Sequence, residues 1–185
     1  MDQYMKQISG EYLRTALSAV TKAVFSSKQS CEVDLSRLEE GEDVKRNTKR
    51  LLGFVRSYLD AIYASIDSIP SELRTLFNTI QDQVMHKFPN DRKIRYTAVS
   101  GFIFLRLICP AIMSPAVHGL VSDTADVRTT RNLTLIAKIL QNLANIVGEN
   151  GKEQAFMGEI NTFVAENLDD MRQFIRNVAV RTFIS

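Results

Sequence analysis

The sequence predicts an all-α fold, a compact multi-helix domain around a buried central helix, and three observations carry that expectation. Glycine and proline number only 8 and 4, too few to punctuate a chain of short strands and tight turns. Strand-like alternation between turn clusters does not occur. Apolar residues recur instead at three- and four-residue intervals, the spacing that lines one face of a helix.

In chain order, residues 1–25 carry Met5, Ile8, Tyr12, Leu13, Ala16, Leu17, Val20 and Val24 at helical spacing, which predicts a first amphipathic helix. Residues 26–41 break the pattern and read as a connection. From 43 to 66, Leu51, Leu52, Val55, Tyr58, Leu59, Ile62 and Ile66 restore it, and Pro70 prevents continuation. A third helix is expected over 71–88, with Ser68-Ile69-Pro70-Ser71-Glu72 as a capping-like entry. Residues 91–109 are different: Ile94, Val99, Phe102, Ile103, Phe104, Leu105, Leu107 and Ile108 leave almost no polar face, so this helix should be surrounded by others. Pro110 and Pro115 should then force an irregular exit. Thr129 or Thr130 is the expected cap of a helix reaching Val147 and stopped by Gly148. Two shorter helices follow, over 152–166 and 169–180.

The 185 residues and 45% hydrophobic content fit one domain with a continuous core. Twenty-three basic against 21 acidic side chains leave a formal charge of +2, too balanced for a protein that tracks nucleic-acid phosphates. Cys31 and Cys109 stand far apart with no CxxC pattern, so free thiols in a reducing compartment are expected. No basic segment followed by an apolar one opens the chain, and Arg106 interrupts the longest apolar run, so neither a secretion signal nor a membrane span is expected. No internal repeat suggests a solenoid.

Arg106 is the most informative single residue. A guanidinium inside an apolar helix is costly to desolvate unless its donors are received, so it should have a fixed partner. Physics alone leaves open whether it ties helices together or serves a functional site. Thr134, Lys138, Gln141 or Asn142, and Asn145 fall three or four apart and form a polar stripe, which spacing alone reads as a solvated face. Arg37, Lys45 and Arg46 lie among Glu39, Glu40, Glu42 and Asp43, which charge alone reads as ordinary surface. His86 and His118 are too far apart to suggest a site.

The run Phe104-Leu105-Arg106-Leu107-Ile108-Cys109-Pro110-Ala111-Ile112 resembles the hallmark of Ras GTPase-activating domains. The likeness continues through Thr134 to Asn145 and on to Lys152-Glu153, and more weakly back to Met1. Within the family it is greatest to the p120 type, while Arg95 to Ser100 looks more like the Gap1 branch. The resemblance implies a partner, a GTP-bound Ras-family GTPase, whose switch regions would meet Leu105, Gln141, Asn145, Lys152 and Arg37. It implies that Arg106 supports the loop carrying a catalytic arginine finger rather than touching nucleotide. Phe104 would pack beneath, and Lys138 would pair internally with Glu153. Amides suit such a contact because they donate and accept together. A cation such as Arg37 would chiefly speed encounter with an acidic partner surface.

In the family the finger lies in a Leu-Phe-Arg segment followed by a small-polar run. No such segment occurs here: Leu13-Arg14, Leu73-Arg74 and Leu105-Arg106 all fall inside expected helices. The chain therefore reads as residues 1–185 of the C-terminal portion of a GTPase-activating catalytic domain, truncated after the finger loop. It would stimulate hydrolysis when the upstream finger is present; the alternative is a finger-less fragment that binds Ras, or self-associates through surface left by missing helices, without activating it. There is no GxxxxGK[ST] phosphate loop, so the nucleotide belongs to the partner, and no cofactor or metal is expected. The resemblance places the chain in the cytoplasm, recruited to membranes by flanking domains outside it.

Overall fold

The computed structural model describes residues 2–91, 94–146 and 158–179. Among them the regular structure is entirely helical. The order is α1 (Asp2–Ser27), α2 (Val44–Ala64), α3 (Ser71–Lys87), α4 (Ile94–Ser100), a π-helical segment (Gly101–Ile108), α5 (Cys109–Met113), α6 (Val127–Ile146), α7 (Gly158–Glu166) and α8 (Leu168–Val178). Short 3₁₀ turns, Leu35–Arg37 and Ile66–Ser68, follow α1 and α2.

The periodic stretches bury most of the residues that defined them, with Ile8, Ala16, Leu52 and Ile66 half-buried at the edges. Met5, Leu13 and Leu17 of α1 and Leu51, Val55 and Ile62 of α2 are closed to solvent, as are Leu133, Ile136, Leu140 and Leu143 of α6. Inside this core, α1 and α2 also share polar links: Thr21 Oγ1 lies 2.9 Å from Tyr58 Oη, and Tyr12 Oη lies 2.9 Å from Ser65 Oγ. Buried hydroxyls paired in this way avoid a desolvation penalty.

The central helix is buried as expected on most of its circumference. Ile103, Phe104, Leu107 and Ile108 are closed, and Phe104 meets Phe174 of α8 edge-on at 6.1 Å between centroids. It is not enclosed on every side, because Leu105 is 36% exposed and Arg106 is also exposed. Nor does it end before Pro110. The backbone widens to five-residue hydrogen bonding, with Cys109 N–H donating to the Phe104 carbonyl, and α5 carries it through Pro110 to Met113. A proline at the start of a helical turn sacrifices a donor that has little use there, which explains why the expected break is absent. The window Tyr96–Met113, of mean hydropathy 1.6, is long and apolar enough to cross a membrane, but half of it is buried inside the domain.

Two caps differ from expectation. Ser68 does not cap α3, whose entry at Pro70 has no side-chain cap. At α6 the acceptor is Asp126, whose Oδ1 receives Thr129 N–H at 2.7 Å. Asp126 begins the helix at Val127, earlier than a threonine cap at 129 would allow, and a carboxylate is the better acceptor beside the positive helix end. The predicted stop at Gly148 and the start of the helix at 152 lie outside the described residues.

Candidate functional site

The connection over 28–43 has little regular structure of its own, so its backbone groups find partners on neighbouring helices. Asn132 of α6, which is buried, accepts Cys31 N–H at 2.8 Å and donates to the Gln29 carbonyl at 2.8 Å. Asn47 of α2 donates to the Glu32 carbonyl at 3.0 Å, and Arg50 donates to that of Ser30. Glu32 is 6% exposed, and its carboxylate accepts both Arg131 Nε at 2.7 Å and Arg131 Nη2 at 2.9 Å. The same carboxylate receives the backbone amides of Val33 and Asp34, each at 3.0 Å. Hydrogen bonds from Arg131, with those amides, hold the Glu32 carboxyl below the usual glutamate range despite burial. Arg128 adds an exposed ion pair to Glu39 at 2.7 Å.

Between this connection and the start of α6 lies an open cleft of about 570 Å³, lined by Lys28, Arg37, Glu39, Val127, Arg128 and Arg131 among others. Arg37 sits on the 3₁₀ turn that Asp34 caps. Its side chain is 62% exposed, and its contact to Asp34 is long, 3.7 Å. From the cleft the polar face of α6 continues as Arg131, Thr134, Lys138, Gln141 and Asn145, at alternating three- and four-residue spacing. Lys138 and Asn145 are exposed, and Thr134 and Gln141 are half-buried. Asn142 turns inward, so of the two neighbouring amides Gln141 is the one on the stripe.

The π-helical segment supplies a second exposed feature. Leu105 and Arg106 emerge side by side, and the Arg106 guanidinium lies over the Phe102 ring at 4.7 Å. The burial expected of Arg106 is therefore corrected. Its charge stays near water while its flat face covers an aromatic ring, so the desolvation cost is largely avoided. Phe104, one residue earlier, is core. Five-residue bonding spreads adjacent side chains differently from an α-helix, and such segments occur frequently at functional sites.

A model of the family described as GTPase-activator protein for Ras-like GTPase matches residues 35–145. The chain belongs to that family. It is 45% identical over 179 residues to the probable Ras GTPase-activating-like protein ngap of Dictyostelium discoideum, a match covering 97% of this chain and 20% of the relative. It is 38% identical over 175 residues to Ras GTPase-activating protein 1 of Homo sapiens, covering 95% and 17% respectively. To the Drosophila melanogaster Ras GTPase-activating protein raskol it is 34% identical over 183 residues, covering 98% and 11%. The chain thus spans a fifth or less of the length of these relatives.

In this member of the family, Arg37, Lys138, Gln141 and Asn145 fall on the cleft and the α6 face that leads from it. Leu105 and Arg106 lie on the helix packed against α6. Lys152 and Glu153, and with them the expected Lys138–Glu153 pair, lie outside the described residues. Lys45 and Arg46 are exposed, their backbone amides donating to the Asp43 carboxylate that caps α2. The arginines that follow leucines all sit in helical segments, Arg14 in α1, Arg74 in α3 and Arg106 in the π-helical segment. Both cysteines are free and buried, and burial raises each thiol to about 12, which leaves them unreactive. His86 is exposed and His118 half-buried, its Nδ1 3.0 Å from the Ser114 carbonyl.

Sequence reasoning missed Glu32, Arg128, Arg131 and Asn132. One signal was present: Arg131 stands three residues before Thr134 and begins the stripe.

Proposed function

We propose that these 185 residues form a portion of a Ras GTPase-activating domain that docks on the switch regions of a GTP-bound Ras-family GTPase. The observation that supports this most is the fold of the family hallmark segment: Phe104 is closed into the core while Leu105 and Arg106 are exposed, on a segment that packs against α6. An apolar contact at Leu105, amides at Gln141 and Asn145, and cations at Arg37 and Lys152 make the contact set of this reading. Arg106 would brace the loop that presents a catalytic arginine.

Hydrolysis on such a GTPase is slow because charge developing on the phosphates is incompletely stabilised, and an arginine supplied in trans accelerates it by roughly 10³ to 10⁵-fold. In this reading that guanidinium comes from outside the 185 residues, since Arg14, Arg74 and Arg106 are all fixed along helices. The chain performs no chemistry on a nucleotide of its own; it acts in the cytoplasm, brought to membranes by other domains.

Single-turnover hydrolysis and binding, measured together with GTP-loaded and GDP-loaded Ras-family GTPase, test the proposal. Binding that prefers the GTP form without faster hydrolysis supports it. Absence of binding overturns the docking reading, and acceleration by these residues alone overturns the external finger. A longer version bearing the Leu-Phe-Arg segment should restore acceleration; failure to do so favours a binder that sequesters the GTPase without activating it.

A further inference from the structure

Resting on that docking proposal, we infer that Glu32 and Arg131 form a positioning pair that holds the Arg37 turn in register with the α6 face, so that one partner meets both at once.

Arg37 has little to orient it through its own side chain: it is largely exposed and its ion pair to Asp34 is loose, 3.7 Å. Its position is set by the backbone before it. Arg37 N–H donates to the Asp34 carbonyl at 2.9 Å, and Asp34 caps the turn by accepting Ser36 N–H at 3.0 Å. The turn is thus a rigid unit whose entry is the Val33–Asp34 backbone. Those two amides both donate to Glu32 Oε1, and the same carboxylate takes the two-pronged grip of Arg131.

One carboxylate therefore joins the turn to the helix. On the helix side the joint is Arg131, the first member of the stripe that runs to Asn145. The geometry suits a fixed register, because a planar guanidinium bound through two donors resists rotation as a single contact does not. Low exposure of Glu32 removes competing water, and residues 99 apart in sequence have no local reason to be held together. Asn132 fixes the earlier part of the connection, at Gln29 and Cys31, and the Arg128–Glu39 ion pair is solvent-exposed at both ends and fixes geometry far less.

The test is a double-mutant cycle on affinity for a Ras-family GTPase loaded with a non-hydrolysable GTP analogue. Glu32→Gln, Arg131→Met and Arg37→Ala should each weaken binding roughly three- to fivefold. Combined with Arg37→Ala, either of the first two should weaken it no further, because the pair acts through Arg37. Amide exchange at Val33 and Asp34 should quicken in partner-free Glu32→Gln. Should that variant fail to fold, Arg131→Met decides, since it keeps Glu32 bound to the turn and severs only the link to α6. Losses that multiply across the cycle, or no loss from Arg131→Met, overturn the positioning role while leaving docking intact. No binding by the unaltered chain overturns the docking reading and the pair's role with it.

Discussion

Phe104 and Glu32 are both nearly closed to solvent, both sit beside a residue offered to the candidate docking face, and opposite physics holds them. Phe104 anchors the π-helical segment by packing, with Ile103, Leu107 and Ile108 buried around it. Glu32 anchors the 28–43 connection by charge and hydrogen bonds to Arg131 and to Val33 and Asp34. Packing is indifferent to pH and tolerant of small shifts, whereas a carboxylate joint is directional and depends on its proton. The difference teaches that one face can be built from a part that responds to its medium and a part that does not.

The sharpest way to break this comparison is at the packed side. Phe104→Ala should cost about 3–5 kcal/mol of stability, the range for deleting a buried aromatic, in denaturant unfolding. A loss below about 1 kcal/mol would mean the segment does not depend on its core contact. On the polar side Asn132→Ala leaves Cys31 N–H and the Gln29 carbonyl without their partner. It should cost about 1–3 kcal/mol, and amide exchange at Cys31 should rise.

Acid should separate the regions further. The folded-state pKa of Glu32 is depressed, so its contribution is fully present above the ordinary glutamate range and is lost as pH falls through the lower folded value. Stability of the unaltered chain should therefore decline in acid more steeply than that of Glu32→Gln, measured as unfolding midpoints across the acid range. Parallel curves would show that the carboxylate does not carry the linkage. The smallest effect is expected at Arg128→Ala, where both partners are exposed: a change within about 0.5 kcal/mol, diminishing with added salt.

What could be seen in the sequence divides along the same line. The amphipathic helices were legible because Leu51, Val55 and Ile62, or Leu133, Ile136 and Leu140, repeat with the period that burial imposes. The apolar run around Phe104 has too little polarity to reveal its period, so neither its five-residue bonding nor the emergence of Arg106 could be read from it. The passage of the helix through Pro110 was hidden for the same reason, since a proline ordinarily signals a stop. On the candidate site, the α6 stripe was visible as spacing. The clamp was not, because Glu32 and Arg131 look like two more surface charges until the fold brings them to 2.7 Å. The Asp126 cap was overlooked because two threonines nearer the periodic residues offered the same chemistry.

The π-helical segment carries one more consequence. A turn that takes an extra residue is an insertion stored inside a helix, with no loop to show for it. Everything after Gly101 is therefore rotated relative to where an unbroken α-helix would have delivered it, and Leu105 with Arg106 owe their outlook to that offset. Deleting a single residue between Gly101 and Phe104 would leave the helix nearly as long and as apolar, yet it would swing a different pair of side chains into the open. The boundary between core and surface in this helix is thus a matter of reading frame, set by one residue's worth of backbone.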